Sequence, residues 1–260
     1  MNLWQGVILG LVQGLTEFLP VSSSGHLVLV EALTGVQFRD VVVEVSLHVA
    51  TLASVLVVFG ERLWGLVRGV LRGDGRSVRY ALLLVVATLP AALIGILFER
   101  QIEEQFHSLL WVGIQFAVTG LILWWTRTPR EGGDLPSMGG ATVIGFAQAF
   151  AILPAISRSG ATIAAGMWIG LAPAAAAEFS FLMLVPTIVG AALLEGRQAV
   201  GDFTAIGPVP WAVSFLLAFA SGVWSLRFLV TMLRRGRFYA FAPYCWAISA
   251  FTIVYALWWA

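Results

Sequence analysis

The sequence has no lysine, a single cysteine and little charge of either sign. All fifteen basic residues are arginine and fourteen acidic residues nearly balance them, so no basic field suggests a nucleic-acid partner. Cys245 stands alone in an apolar run, which excludes an intramolecular disulfide and a cysteine-based metal site. No positively charged segment precedes the first apolar stretch, so we expect no signal peptide to be removed.

What the chain does have is apolar residues, which make up 59% of its 260 residues against 11% charged. That balance leaves too little polar surface to cover a soluble protein of this size, so lipid must act as its solvent. A membrane-spanning helix needs about 20 mostly apolar residues. Six stretches meet that requirement: 42–60, 80–98, 108–126, 175–195, 210–230 and 241–259. They predict an all-α polytopic membrane protein with six transmembrane helices.

Two further stretches, 3–33 and 141–172, are apolar at their ends but polar in the middle. Their middles contain Pro20, Ser22, Ser23, Ser24, Gly25 and His26, and Pro154, Ser157, Arg158, Ser159 and Gly160. Irregular backbone at membrane depth is tolerated only where protein or a water-filled cavity surrounds it. We therefore predict two re-entrant helix–loop–helix hairpins.

Arginine placement predicts the orientation of these segments, because cytoplasmic loops carry the excess of basic residues. Ten arginines lie in three alternate connections, at 61–79, 127–140 and 231–240. Three arginines lie in the opposite connections, at 34–41, 99–107 and 196–209. With the arginine-rich loops inside, both termini lie outside and the two hairpins enter from opposite sides.

A diverged internal repeat agrees with that geometry. Gly10-Leu-Val-Gln13 recurs as Gly145-Phe-Ala-Gln148, and Ser22-Ser-Ser-Gly25 recurs as Ser157-Arg-Ser-Gly160, in both cases 135 residues later. Inverted repeats with broken helices place a binding site near the midplane, where the two tips meet. The sequence thus predicts one transmembrane domain, 1–260, built from inverted repeats 1–138 and 139–260.

The first tip contains a carboxylate at membrane depth, Glu17. It lies one helical turn from Gln13 and on the same face. An unpaired carboxylate there would cost about 2.5–3.5 kcal/mol or more, so we expect a counter-charge or a metal ion beside it. Arg158 on the second tip is the candidate counter-charge. A Glu17–Arg158 pair could hold the tips together, serve in a functional site, or do both.

Three serines, Ser22, Ser23 and Ser24, precede the second half-helix of the first hairpin. Free backbone N–H groups and the positive end of the helix dipole favour an anion such as phosphate at that position. One serine could instead be an N-cap, but three exceed what capping needs. His26 is within a turn of them and could exchange a proton near neutral pH, or simply be a satisfied polar residue.

The second tip places Arg158 between Ser157 and Ser159. A guanidinium group can hold two phosphoryl oxygens in a planar fork, which lysine cannot do equally well. Thr162, three residues after Ser159, is expected on the same side of the helix, where it would donate a further hydrogen bond or simply pack. Gly160 belongs to the same predicted phosphate-binding set.

The two polar stretches resemble the motifs of a known family. Gln13-Gly-Leu-Thr-Glu17, continued by Phe18 to His26, resembles the first motif of the bacterial undecaprenyl-pyrophosphate phosphatases, in which the first position is Glu or Gln. Pro154 to Thr162 resembles the second motif, which usually has glycine where Ala155 stands. The resemblance extends over the whole chain in length, span count and inverted repeat.

The resemblance implies metal-assisted hydrolysis of undecaprenyl pyrophosphate in the bacterial cytoplasmic membrane, with the site open to the periplasmic or outer face. Magnesium or calcium is the expected ion, with Glu17 and Gln13 serving the metal and proton handling. Ser23 or His26 would make the attack; we favour Ser23, because Glu17 and His26 place a base beside it. The remaining residues of the tips would bind the phosphate groups: Ser22, Ser24, Ser157, Arg158, Ser159, Gly160 and Thr162.

The main alternative function is a lipid flippase or secondary transporter, because inverted repeats and broken helices are transporter architecture. Ser, His, Arg and Glu gathered at two tips suit phosphoryl transfer, whereas a transport path would need polar residues along several spans, and these spans are nearly free of them. The expected partners are a polyprenyl pyrophosphate and membrane lipid. The sequence leaves the oligomeric state open, with a homodimer among the alternatives.

Overall fold

The computed structural model describes residues 1–35, 41–128, 132–199 and 207–258, and these residues are organised as helices. The first half contains α1 (Leu3–Phe18), α2 (Ser23–Thr34), α3 (Val41–Leu71), α4 (Gly75–Leu97), α5 (Glu99–Phe106) and α6 (Leu109–Trp124). The second half contains α7 (Met138–Phe150), α8 (Arg158–Trp168), α9 (Pro173–Ala199), α10 (Pro208–Arg234), a short 3-10 helix (Phe238–Phe241) and α11 (Ala242–Trp258). The predicted all-α class is confirmed.

Four helical segments in the described part of the chain are long and apolar enough to cross a membrane: Val45–Leu71, Gly75–Leu97, Pro208–Arg234 and Phe238–Trp258. A fifth is obtained if α5 and α6, which meet at 97°, are counted as one bent span. The remaining predicted span, 175–195, lies within the 27-residue helix α9, of which the apolar stretch Pro173–Ile188 is described in full. The chain is therefore a multi-pass membrane protein, with four to five span candidates among its described residues.

Both predicted hairpins are pairs of helices separated by an irregular tip. The first tip lies between Phe18 and Ser23, and the second between Phe150 and Arg158. Ser22 and Ser157 are the N-caps of the helices that follow, because their hydroxyls accept from the N–H groups of Gly25 at 3.4 Å and Gly160 at 3.1 Å. The N-cap alternative given for one serine of the first tip is thus confirmed for Ser22, and Ser157 caps the helix after the second tip in the same way.

The prediction that residues 61–79 form a long loop is wrong. Helix α3 continues to Leu71 and α4 begins at Gly75, so only three residues connect them. Gly73 supplies a positive φ of 71°, and Asp74 caps α4 through Ser77 N–H at 2.9 Å. Hydropathy marked where the apolar surface stops, but helical hydrogen bonding continues beyond it because arginine is a good helix former.

The connection at 99–107, predicted to be an outer loop, is largely the helix α5. The predicted outer connections at 34–41 and 196–209 fall partly outside the described residues, as does Arg130 of the inner connection at 127–140.

Helices from opposite halves pack against each other, and α1 lies along α10. Gly6, Gly10 and Gly14 form the contact stripe of α1, and a Cβ on any of them would lie 2.1–2.6 Å from an α10 atom. Small residues at such positions let two helix backbones approach closely in lipid. Ser225 strengthens the contact by donating to the Gly14 carbonyl at 2.7 Å. The first hairpin is thus held against the second half of the chain.

Candidate active site

An ion pair joins the two tips. Nη2 of Arg158 lies 3.0 Å from Oε1 of Glu17, and the two side chains are 16% and 8% exposed. The pair matches the counter-charge predicted for Glu17 and brings residues 141 positions apart into contact. Two opposite charges in a water-poor site compensate each other, so this contact removes much of the cost of either charge alone.

The second carboxylate oxygen of Glu17 faces its own tip. Oε2 accepts hydrogen bonds from the Ser23 hydroxyl at 2.7 Å and from the Gln13 amide at 3.1 Å. Glu17 therefore binds the predicted nucleophile with one oxygen and the predicted phosphate-binding arginine with the other. A carboxylate at this distance from a hydroxyl can accept its proton during attack.

The backbone at the first tip adds free hydrogen-bond donors. Within the described ranges, no acceptor is found for the N–H groups of Ser23 and Ser24, the first two residues of α2. Ser24 places its hydroxyl 3.2 Å from that of Ser22. Since N–H groups and the helix dipole both favour an anion, the start of α2 can hold phosphoryl oxygens next to Ser23.

In the described part of the chain, the His26 ring forms no hydrogen bond with Ser23, although it follows three residues later. Its Nδ1 lies 2.7 Å from the Ser22 carbonyl oxygen, and its Nε2 lies 2.7 Å from the Tyr244 hydroxyl. Phe116 packs edge-on against the ring, with centroids 5.2 Å apart. Because both ring nitrogens have other partners, the geometry favours Ser23 over His26 as the attacking group.

The three predicted hydroxyls of the second tip are turned into the protein. Ser157 caps α8, Ser159 lies 3.2 Å from the Ser157 hydroxyl and 3.4 Å from the Leu19 carbonyl, and both are buried. Thr162 is fully buried and bonds Ser180 Oγ at 2.6 Å. The structure thus brings Arg158 of this tip to the Glu17–Ser23 pair, and does not bring the three hydroxyls there.

Sequence reasoning missed three residues that support the tips. Ser180 accepts from Nη1 of Arg158 at 3.3 Å through its backbone carbonyl, and Tyr244 bonds His26. Thr119 donates to the Ala155 carbonyl at 2.8 Å and accepts from the Ser157 N–H at 3.2 Å. All three lie on helices outside the motifs, and an isolated Ser, Thr or Tyr in an apolar stretch carries little sequence signal.

Ala155 stands where the resembled motif usually has glycine, and its backbone conformation shows why. Its φ is +60°, a conformation that glycine adopts readily and that strains other residues. It is fully buried, and a Cβ on Gly25 would lie only 2.7 Å from its own Cβ. The positive φ accounts for the usual glycine at position 155, and the close contact between the tips leaves no room for a Cβ at Gly25.

The residues at the tips fit a divalent ion that arrives with a phosphorylated substrate. Glu17 offers a carboxylate and Gln13 an amide oxygen, both oxygen ligands of the kind that Mg²⁺ and Ca²⁺ prefer. In the described part of the chain, no group of three or more His, Cys, Asp or Glu side chains could form a metal cage. Mg²⁺ is commonly held by one or two carboxylates plus substrate phosphates, which matches this set.

A polar cleft of about 560 Å³ is lined by residues of α3, α4 and α9 and contains none of the tip residues. Its walls include Arg62 and Glu178, whose side chains form an ion pair at 2.7 Å, together with Arg76, Tyr80 and Asp134. The Tyr80 hydroxyl donates to the paired Glu178 oxygen at 3.3 Å, but the one serine lining this cleft, Ser77, bonds Asp74 and not the Arg62–Glu178 pair. The tips therefore remain the candidate active site, and the Arg62–Glu178 pair provides a comparison for mutagenesis.

Comparison with known proteins matches nearly the whole chain to one family. The family model described as "Bacitracin resistance protein BacA" matches residues 6–251. A protein of Desulfosudis oleivorans named undecaprenyl-diphosphatase is 44% identical, over 96% of this chain and 97% of the relative. Proteins of the same name from Carboxydothermus hydrogenoformans and Bacteroides fragilis are each 38% identical, over 98% of this chain and 97% and 98% of theirs.

These matches include both tips, with Glu17, Ser23, His26 and Arg158 inside the matched range. The chain belongs to the bacitracin resistance protein BacA family.

Proposed function

We propose that this chain is an integral-membrane phosphatase that hydrolyses undecaprenyl pyrophosphate to undecaprenyl phosphate and inorganic phosphate. The observation that carries the proposal is the Ser23–Glu17–Arg158 constellation, in which one carboxylate contacts both a hydroxyl and a guanidinium group. The relatives' name supports the same reaction. The flippase or transporter alternative is not favoured, because the relatives are named for hydrolysis and the polar groups gather at the tips.

The geometry supports attack by Ser23 on the terminal phosphorus. Glu17 takes the hydroxyl proton as the new P–O bond forms, and the bond to the bridging oxygen breaks to release the lipid monophosphate. Arg158 and the free N–H groups at the start of α2 bind the phosphoryl oxygens, where negative charge must be stabilised. Water then cleaves the phosphoserine, releases inorganic phosphate and restores the Ser23 hydroxyl.

A divalent ion, Mg²⁺ or Ca²⁺, is part of the proposal. Glu17 and Gln13 would hold it beside the pyrophosphate, and the ion would neutralise part of the substrate's charge. Gln13 in place of a second carboxylate is compatible with an ion held largely by phosphate oxygens. Gln13 also orients Glu17 by donating to Oε2 at 3.1 Å.

We further propose the membrane arrangement: six transmembrane helices and two re-entrant hairpins in one domain, with inverted repeats 1–138 and 139–260. The equivalent N-caps Ser22 and Ser157 support the repeat, since each hydroxyl lies 3.2 Å from that of the serine two residues later. The arginine distribution supports termini outside, and the family resemblance supports a site open to the periplasmic side of the bacterial cytoplasmic membrane.

The orientation can be tested by labelling single cysteines in a Cys245→Ala background with a membrane-impermeant thiol reagent. In intact spheroplasts we expect labelling within 99–107 and protection within 61–79 and 231–240. Permeabilised cells, in which all positions should react, are the control. Labelling at 61–79 with protection at 99–107 would invert the arrangement.

Phosphate release from a prenyl pyrophosphate by the purified protein tests the function. We expect release that stops with a chelator and returns with excess Mg²⁺ or Ca²⁺, each added separately. A prenyl monophosphate serves as the control substrate, because it has no phosphoric anhydride bond to break. Absence of release by the wild-type protein with either ion would refute the proposal, and release unaffected by the chelator would refute its metal requirement.

A further inference from the structure

Tyr244 contacts the candidate site from the C-terminal helix α11. Its hydroxyl lies 2.7 Å from Nε2 of His26, and the two rings are parallel within 5° with centroids 5.7 Å apart. Tyr244 is 46% exposed, whereas His26 is 9% exposed. Neither motif contains this tyrosine, and the hydrolysis derived above gives it no role.

The two contacts of His26 define the hydrogen positions of its neutral ring. The Ser22 carbonyl oxygen can only accept a hydrogen bond, so Nδ1 must carry the hydrogen. Nε2 is then an acceptor and receives the hydrogen of the Tyr244 hydroxyl. Tyr244 therefore stabilises the tautomer in which His26 holds the Ser22 carbonyl.

The Ser22 carbonyl belongs to the peptide group that leads into Ser23. Because a trans peptide is planar, the direction of this carbonyl also sets the direction of the Ser23 N–H. Ser22 has a φ of +67°, which residues with a side chain adopt infrequently. The backbone bond from His26 N–H to the same carbonyl is long, at 3.4 Å, so the 2.7 Å bond from Nδ1 is the closer restraint.

We propose that Tyr244 is a positioning residue for the phosphoryl transfer. Tyr244 holds His26, His26 holds the Ser22–Ser23 peptide, and this peptide presents the hydroxyl and N–H of Ser23 to the phosphoryl group. The inference rests on the proposed function, since it concerns the same site. Tyr244 acts through His26 on a peptide whose hydroxyl and N–H face the group where charge develops in the transition state, so loss of its hydroxyl should lower the rate of the bound complex more than it weakens substrate binding.

Tyr244→Phe tests this role because it removes only the hydroxyl. We expect kcat to fall about 3- to 10-fold, the factor that corresponds to one net hydrogen bond, with KM unchanged. Tyr255→Phe is the matched control: Tyr255 lies on the same helix, and its hydroxyl donates to the Ala32 carbonyl at the far end of α2, at 3.2 Å. Tyr255→Phe should keep the wild-type kcat. If the two hydrogen bonds only held α11 against α2, both variants would have a lowered kcat.

A double variant tests whether Tyr244 acts through His26. If it does, Tyr244→Phe combined with His26→Ala has the same kcat as His26→Ala alone. Three outcomes would overturn the positioning role. They are a kcat reduction in the double variant equal to the product of the two single reductions, a wild-type kcat in Tyr244→Phe, and a change in KM without a change in kcat. Absence of hydrolysis by the wild-type protein would refute the proposed function, whereas normal wild-type hydrolysis with an unaffected Tyr244→Phe would refute only the positioning role.

Discussion

Replacing Ser23 with alanine should abolish hydrolysis of a prenyl pyrophosphate. The substitution removes the attacking oxygen, which lies 2.7 Å from Glu17, and leaves the α2 N-cap to Ser22. His26→Ala should leave a measurable residual rate, because His26 contacts Ser22 and Tyr244 rather than Ser23. Loss of a group that positions the site or transfers a proton slows hydrolysis without stopping it, since general acid–base catalysis typically raises the rate by about 10²–10⁴-fold. Initial rates of phosphate release, measured over at least four orders of magnitude, check both variants.

Ser214→Ala is the control for loss of a hydroxyl, because among the described residues the Ser214 hydroxyl bonds only the Trp211 carbonyl of its own helix. Acid-quenched enzyme that has been given substrate labelled in the terminal phosphate should contain acid-stable phosphoserine at Ser23. A dead His26→Ala variant beside an active Ser23→Ala variant, with acid-labile phosphohistidine, would reassign the attack to His26. Activity in both variants without either adduct would point to attack by water.

Glu17→Gln and Arg158→Lys should each lower turnover by about 10²–10³-fold or more in a folded protein. Glu17→Gln removes the base for Ser23 and the charge that holds Arg158. Arg158→Lys keeps a positive charge but loses the planar fork, so a preorganised contact to the phosphoryl oxygens disappears. We expect kcat to fall in both, because these contacts act where charge develops in the transition state.

The Arg62–Glu178 ion pair provides controls, since it is another arginine–glutamate contact, at 2.7 Å, and neither residue belongs to the tips. Arg62→Lys and Glu178→Gln should retain turnover within a few-fold of the wild type. Size-exclusion profiles and unfolding temperatures separate loss of chemistry from loss of fold. Wild-type rates in Glu17→Gln or Arg158→Lys would contradict the assignment of either residue to the site.

Much of the fold could be predicted because hydropathy and helix breaking are local properties of the chain. Both tip positions were predicted from polar residues and prolines inside apolar stretches, and the helices stop at Phe18 and Phe150. The Glu17–Arg158 pair was also predictable, because a charge at membrane depth requires a partner. The end of α3 was not, because hydropathy reports the apolar surface rather than backbone hydrogen bonding.

The candidate site was predicted less completely than the fold. The motif residues Ser157, Ser159 and Thr162 were expected to bind phosphate, but their hydroxyls face Leu19, Ser180 and each other. Helical spacing places residues on a face without indicating which neighbour that face will meet. A hydroxyl can serve a substrate or the protein equally well, so only its surroundings distinguish the two uses.

The sequence by itself determined that the chain is a membrane protein with two broken helices and an internal repeat in its motifs. It also determined that charged residues lie at the tips of the two hairpins. These follow from composition and from spacing within about one helical turn. Only the tertiary structure decided that Glu17 joins Ser23 to Arg158, and that His26 bonds Tyr244, 218 residues away. The physical reason is that long-range partners depend on how whole helices pack, and close packing depends on shape at every contact rather than on any one segment.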